Sequence, residues 1–207
     1  LSDRIFADLS RRVLSGDLAP GSKLRQDEIA TGFQASHVPV REAFRRLEAE
    51  GLLEALPRRG VRVAVMDAAR HFEVLEMRAA LESLALHHAA ERYSRGHMAR
   101  VVQADRACSL ATDAETWEAA NRDFHRLLIA PCPLPHLMQA LERLQMLAQW
   151  GGRVLAPQRA ASYPREDRDH RAILQALQEG AIGKAGEALA RHIRRAHVGR
   201  QIIDNYV

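Results

Sequence analysis

SHVPVREAFRRLEAEGLLEALPRRGVRV, residues 36–63, sets a helical pattern, a strand pattern and a tight turn back to back. On a wheel of about 100° per residue, Val40, Ala43, Phe44 and Leu47 share one arc. Val38, Arg41, Glu42, Arg45 and Arg46 share the other. Ser36 suits an N-cap, and Pro39 is tolerated because first-turn amides have no intrahelical acceptor. The helix should end before Gly51. LLEAL and VRVAV then flank the turn PRRG, which predicts a hairpin. Period-two alternation puts Val61, Val63 and Val65 on one face and Arg62 on the other, with Arg58 and Arg59 at the tip.

Working outward, a helix over about 2–14 has Ile5, Phe6, Leu9 and Val13 on one face. Ser15-Gly16-Asp17 and Pro20-Gly21 break it. A short helix from Gln26 to Phe33 turns Ile29, Ala30 and Phe33 inward, and Gly32, Gln34 and Ala35 form the next turn. Short helix, tight turn and third helix have helix-turn-helix spacing, which offers the third helix to a DNA major groove. Charge on a helix is ordinarily a solvated face. Here a cationic hairpin tip follows the cationic helix, giving two phosphate contacts about a groove apart, and that points to duplex DNA.

The chain has 207 residues, is 47% hydrophobic and 27% charged, and carries a formal charge of +4. This composition fits a globular protein able to bury a core, and the charge permits a nucleic-acid partner without requiring one. No apolar run approaches the roughly 20 residues of a membrane helix, so no membrane partner is expected. No cleavable leader is visible at Leu1. Two cysteines make no disulfide framework, and a reducing, cytoplasmic setting is the expectation.

The division falls near residue 66, giving parts 1–66 and 67–207. The second part predicts six helices over about 68–93, 96–111, 114–130, 134–154, 164–179 and 182–203. Leu75, Leu81, Leu84 and Ala85 form the inward face of the first. Phe124, Leu127 and Leu128 do so in the third, and Ile173, Leu174 and Leu177 in the fifth. This is an all-α bundle, and the chain as a whole is mostly α.

Ten histidines are many for this length. NRDFHRLL puts Asn121 and His125 on one helical face, DHRAIL puts His170 near a helix start, and ARHIRR puts His192 in the last helix. Three imidazoles from separate helices could converge on a transition metal inside a bundle. Equally, they could be surface or core-packing residues. His87, His88, His97, His136 and His197 belong to no motif, and a surface position is expected for each.

The segment LRQDEIATGFQASHVPVREAFRRLEAEGLLEALPRRGVRV, residues 24–63, resembles the winged helix-turn-helix of GntR-type bacterial transcription regulators. The second part resembles the FCD effector domain of the FadR-type subgroup, in its six-helix, VanR-like form. The resemblance implies an operator reader. Ser36, His37, Val38 and Arg41 would lie at base edges, and Arg45 would reach phosphate or base. Arg58 and Arg59 would serve the wing tip, and Gly60 would let the wing backbone enter the minor groove. Arg41 is the candidate for a bidentate guanine contact. Many members have Arg where this chain has His37, and some have Arg where it has Asp27. Arg25 is the candidate to compensate.

The resemblance also implies a divalent transition metal, zinc or nickel, on His125, His170 and His192. Metal-binding members have an acidic residue four before the first histidine, where this chain has Asn121. A neutral carbonyl oxygen is the weaker ligand and leaves a zinc-loaded site at +2, which would favour an anion. A small organic-acid effector, Arg78 as its contact, a homodimer and repression relieved by effector are implied as well. Arg78 could instead serve only as an ion-pair partner of Glu82, four residues on. The competing class is a metal-dependent hydrolase built on the three histidines. No HExxH motif, Ser/His/Asp set or Gly-rich phosphate loop supports it, and an enzyme leaves the wing unexplained. A pure scaffold would explain the helices but not the arginines.

Overall fold

The computed structural model describes residues 1–56, 60–155 and 168–195. It divides into two compact units, Leu1–Asp67 and Ala68–Val207.

The first unit holds α1 (Ser2–Ser15), β1 (Lys23–Leu24), α2 (Gln26–Gly32), α3 (His37–Ala49), β2 (Leu53–Leu56) and β3 (Gly60–Val63). Its core is the meeting of the predicted stripes: Ile5, Leu9 and Val13 of α1 against Val40, Ala43, Phe44 and Leu47 of α3, all buried. Gly16 ends α1 in the left-handed region at φ 88°, where a Cβ would be strained. β2 and β3 form the expected antiparallel hairpin, with Glu54 opposite Arg62 and Ala55 opposite Val61. β1 adds a third strand on the outer side of β3, so the order is β1-β3-β2. Sequence reading did not include β1. Val65 departs from its expected place beside Val61 and Val63: the strand ends at Val63, and Val65 is exposed. Ser36 occupies the N-cap position of α3, but its side chain makes no cap hydrogen bond. The Gln26 side-chain amide instead donates to the His37 carbonyl at 3.0 Å, tying α2 to the first turn of α3.

The second unit is the expected helical bundle: α4 (Ala68–Ala90), α5 (Arg95–Leu110), α6 (Ala114–Ile129), α7 (Pro135–Leu155), α8 (Arg168–Gln178) and α9 (Ile182–Arg195). α4 is central and packs on α6, α7 and α9, while α5 pairs with α6 and α8 with α9. Ser94 and Asp113 cap α5 and α6 by accepting from the amides of His97 and Thr116. The expected extensions into 164–167 and 196–203 lie outside the described residues. Leu84 is a correction: it is exposed, and Leu86 takes the buried place. α4 has neighbours on several sides and carries apolar residues nearly all round, so no single face could be picked from its sequence. His97 is a second correction, being buried. Its Nε2 donates to the Leu127 carbonyl at 2.9 Å, and Nδ1 accepts from Arg100.

Candidate functional site: a cationic helix face and a buried histidine centre

In the first unit, Ser36, His37, Val38, Arg41 and Arg45 are all exposed on the side of α3 away from its core stripe. Arg41 and Arg45 form no ion pair among the described residues. Val38 is 63% exposed on the same side. Arg46 is not part of this open face. Its guanidinium lies 2.6 Å from Asp3 and 4.2 Å from the Phe6 ring centroid, so it fastens α3 to α1. The Arg46 hydrogen bond and charge hold the Asp3 carboxyl below its usual range. His37 Nδ1 lies 3.6 Å from Asp27, and Arg25 sits 3.5 Å from Glu28. Thus the positions where this chain departs from its resemblance to GntR regulators face each other across the helix-turn-helix. Gly60 has φ 89°, a conformation that lets the chain enter β3 from the turn. Arg58 and Arg59 lie outside the described residues.

In the second unit, α6, α8 and α9 bring His125, His170 and His192 together, with one candidate ligand atom from each lying within 4.8 Å of the others. Ring centroids are 4.7 Å apart for His170 and His192, and 5.1 Å for His125 and His192. Phe124 stacks on His170 at 4.0 Å and walls the group on one side. His125 and His170 are buried. Burial, then the positive neighbours, push the His192 imidazole well below its ordinary range. Burial lowers His125 as well, and Glu82 only partly offsets it. Three imidazoles at this spacing are a donor set suited to a divalent transition metal.

The imidazoles are backed by carboxylates. Glu82, fully buried, accepts from His125 Nδ1 at 2.8 Å, and Asp105 faces His170 Nδ1 at 3.0 Å. Burial opposes a charge on Glu82, but Arg78 and His125 overcome it and hold the carboxyl well below its usual range. An ionised carboxylate can only accept, so His125 carries its proton on Nδ1 and presents Nε2 as donor atom. The +2 expected from the ligands alone therefore omits the carboxylates of Glu82, Asp105 and, 3.9 Å from His192 Nδ1, Asp169. The spacing of Arg78 and Glu82 suggested their pairing. That Glu82 also reaches His125, and that Asp105 reaches His170 from another helix, had no local signature.

Asn121 supplies an independent mark. Its side-chain Oδ1 is buried and accepts no hydrogen bond among the described residues. A buried, unsatisfied carbonyl oxygen costs about 1–3 kcal/mol. Asn121 lies one turn before His125 on α6 and lines the same cavity, which makes its oxygen a candidate further ligand for a cation there. The residues present therefore fit a divalent metal.

Asn121, His125 and Arg78 also line a cavity of about 380 Å3 in this unit, together with Gln145, Arg122 and Met146. Arg122 forms no ion pair among the described residues. His71 belongs to the same wall, and sequence reading passed over it. It is buried and donates from Nε2 to the Ala148 carbonyl at 3.1 Å. Its ring lies so close to α7 that a Cβ on Gly151 would fall 2.4 Å from it.

Comparison with known proteins agrees with both halves. Residues 1–63 match the family of bacterial regulatory proteins, gntR family, and residues 73–195 match the FCD domain. A relative from Paenarthrobacter nicotinovorans named "Probable D-xylose utilization operon transcriptional repressor" is 31% identical over 186 residues, covering 87% of this chain and 80% of that protein. The transcriptional repressor GlaR of Escherichia coli strain K12 is 28% identical over 149 residues, or 68% of this chain and 67% of that protein. A GntR-family regulator from Pseudomonas syringae pv. tomato has a solved structure with TM-score 0.57 at 28% identity, covering 99% of this chain and 85% of that one. A chain from Rhodococcus sp. RHA1 shares the fold at TM-score 0.74 and 22% identity, covering 100% and 99%. The relatives are regulators of transcription, which removes the hydrolase alternative. The chain belongs to the gntR family of bacterial regulatory proteins, and it is a DNA-binding transcriptional regulator with a winged helix-turn-helix followed by a helical FCD domain.

Proposed function

We propose that this regulator is a repressor whose grip on its operator is set by a small organic acid bound beside a metal in the helical unit. The observation that carries the sensing half is the cavity that His125 and Asn121 share with Arg78. His125, His170 and His192 would hold zinc or nickel, with Asn121 Oδ1 as a further, neutral ligand. A metal so held supplies positive charge and open coordination positions for a carboxylate. Arg78 and Arg122 add cationic donors on the same wall, matched to an acid.

On the DNA side, Arg41 would take guanine through its two-pronged guanidinium, with Ser36, His37 and Val38 at neighbouring base edges. Arg45, Arg25 and the wing residues Arg58, Arg59 and Gly60 would contact backbone and minor groove. A two-fold operator calls for a homodimer. The exposed run of Met77, Ala80 and Leu84 along one side of α4 supports such a pairing. The acid can relieve repression only by binding an arrangement that fits the operator poorly better than one that fits it well.

Elemental analysis of the purified chain should give about one zinc or nickel per protomer. A thermal-shift screen of organic acids should then find one that weakens operator binding in a gel-shift titration. If neither metal removal nor any stabilising acid changes operator affinity, the sensing half is wrong and the DNA-binding half stands.

A further inference from the structure

Glu82 is a buried carboxylate that accepts three side-chain hydrogen bonds. Its Oε2 accepts from His125 Nδ1 at 2.8 Å. Its Oε1 accepts from Arg78 Nε at 2.8 Å and from the Gln145 side-chain amide at 2.6 Å. The residue is 0% exposed, so bulk solvent does not reach those oxygens. The two oxygens therefore face different ways in chemical terms. One serves an imidazole of the metal centre, and the other serves two side chains that line the cavity.

We infer that Glu82 is a positioning residue that joins the two: it aims His125 at the metal, and how firmly it does so depends on how much of its charge Arg78 and Gln145 draw off. This rests on the metal reading above. A carboxylate behind a ligating imidazole fixes the tautomer and raises the basicity of the ligating nitrogen. Arg78 competes for that same negative charge. Arg78 bonds Glu82 through Nε, so its two Nη groups can meet an incoming anion. An anion that shares or withdraws the guanidinium returns charge to Glu82, and through Glu82 to His125. Acid and metal would then bind cooperatively, each strengthening the other by the same factor. The chain would sense an acid more strongly when metal-loaded, without the acid having to touch the metal.

The test needs only zinc as its probe, measured on the full chain by competition with a chromophoric chelator. Glu82→Gln keeps the shape and removes the charge, and it should weaken zinc binding roughly 10- to 100-fold. Arg78→Met removes the competitor and, at alkaline pH where Glu82 stays ionised without that partner, should strengthen zinc binding severalfold. Opposite signs from two contacting residues cannot come from loss of folding, and circular-dichroism melting checks each variant. The double variant decides the route: with Glu82 neutralised, Arg78→Met should no longer tighten binding. Tightening that persists in the double variant would mean that Arg78 acts directly on the metal charge, and would overturn the inference. So would wild-type zinc affinity in Glu82→Gln. Failure of the unmodified chain to take up zinc or nickel at all would instead overturn the metal reading, and this inference with it.

Discussion

The two units handle charge in opposite ways. On α3, Arg41 and Arg45 stand in solvent with no ion pair among the described residues, while Arg46, one position on, is committed to Asp3 and Phe6. In the bundle, Glu82 is fully buried and bonded to Arg78, Gln145 and His125. An exposed charge without a partner costs the fold almost nothing and remains available to phosphate or base. A buried one must be bonded or it destabilises the protein. The unpaired charge of Arg41 and Arg45 is therefore held ready for a partner, whereas the buried charge of Glu82 fixes a geometry.

Phe124→Ala should break the comparison most severely. Phe124 is fully buried and stacks on His170, so its loss should cost about 3–5 kcal/mol in denaturant unfolding and release one imidazole of the centre. Unchanged zinc uptake in a folded Phe124→Ala variant would show that the stack does not hold the site. Arg41→Ala should leave stability alone and cost about 1–3 kcal/mol in operator binding. Near-normal affinity in a gel shift would remove Arg41 from the interface. Ser94→Ala, which deletes the cap of α5, should lower stability by about 1 kcal/mol with no effect on DNA or metal.

The smallest effect should be the pH response of Asp113. The Thr116 amide holds its carboxyl below the ordinary value, so the folded chain binds that proton less readily than the unfolded one. The cap's contribution is full above roughly pH 4 and is lost as pH falls through the lowered value. Asp113→Asn should flatten that slope in pH-dependent melting. An unchanged slope would show that the cap does not report on acid stability.

What could be read from sequence follows the range of the interactions. The α3 stripe and the valine alternation of the wing are set by neighbours a few residues apart, so their periods survive in the sequence. β1 is only two residues long and exists because β3 offers it an edge, which no local pattern announces. His125, His170 and His192 stood out as residue types in motifs, but their convergence depends on how α6, α8 and α9 pack. Glu82 displayed its local partner, Arg78, and hid its distant one, His125. Leu84 was misplaced because α4 is apolar on most sides, and His97 because a histidine alone does not say whether a carbonyl awaits it.

Gly151 sets a limit on what evolution can do to the cavity. The His71 imidazole rests where any side chain at 151 would have to be. A single methyl there would drive the ring off α7 and into the space offered to a ligand. Substitution at 151 would thus narrow the chamber from behind while every residue of α3 stays as it was.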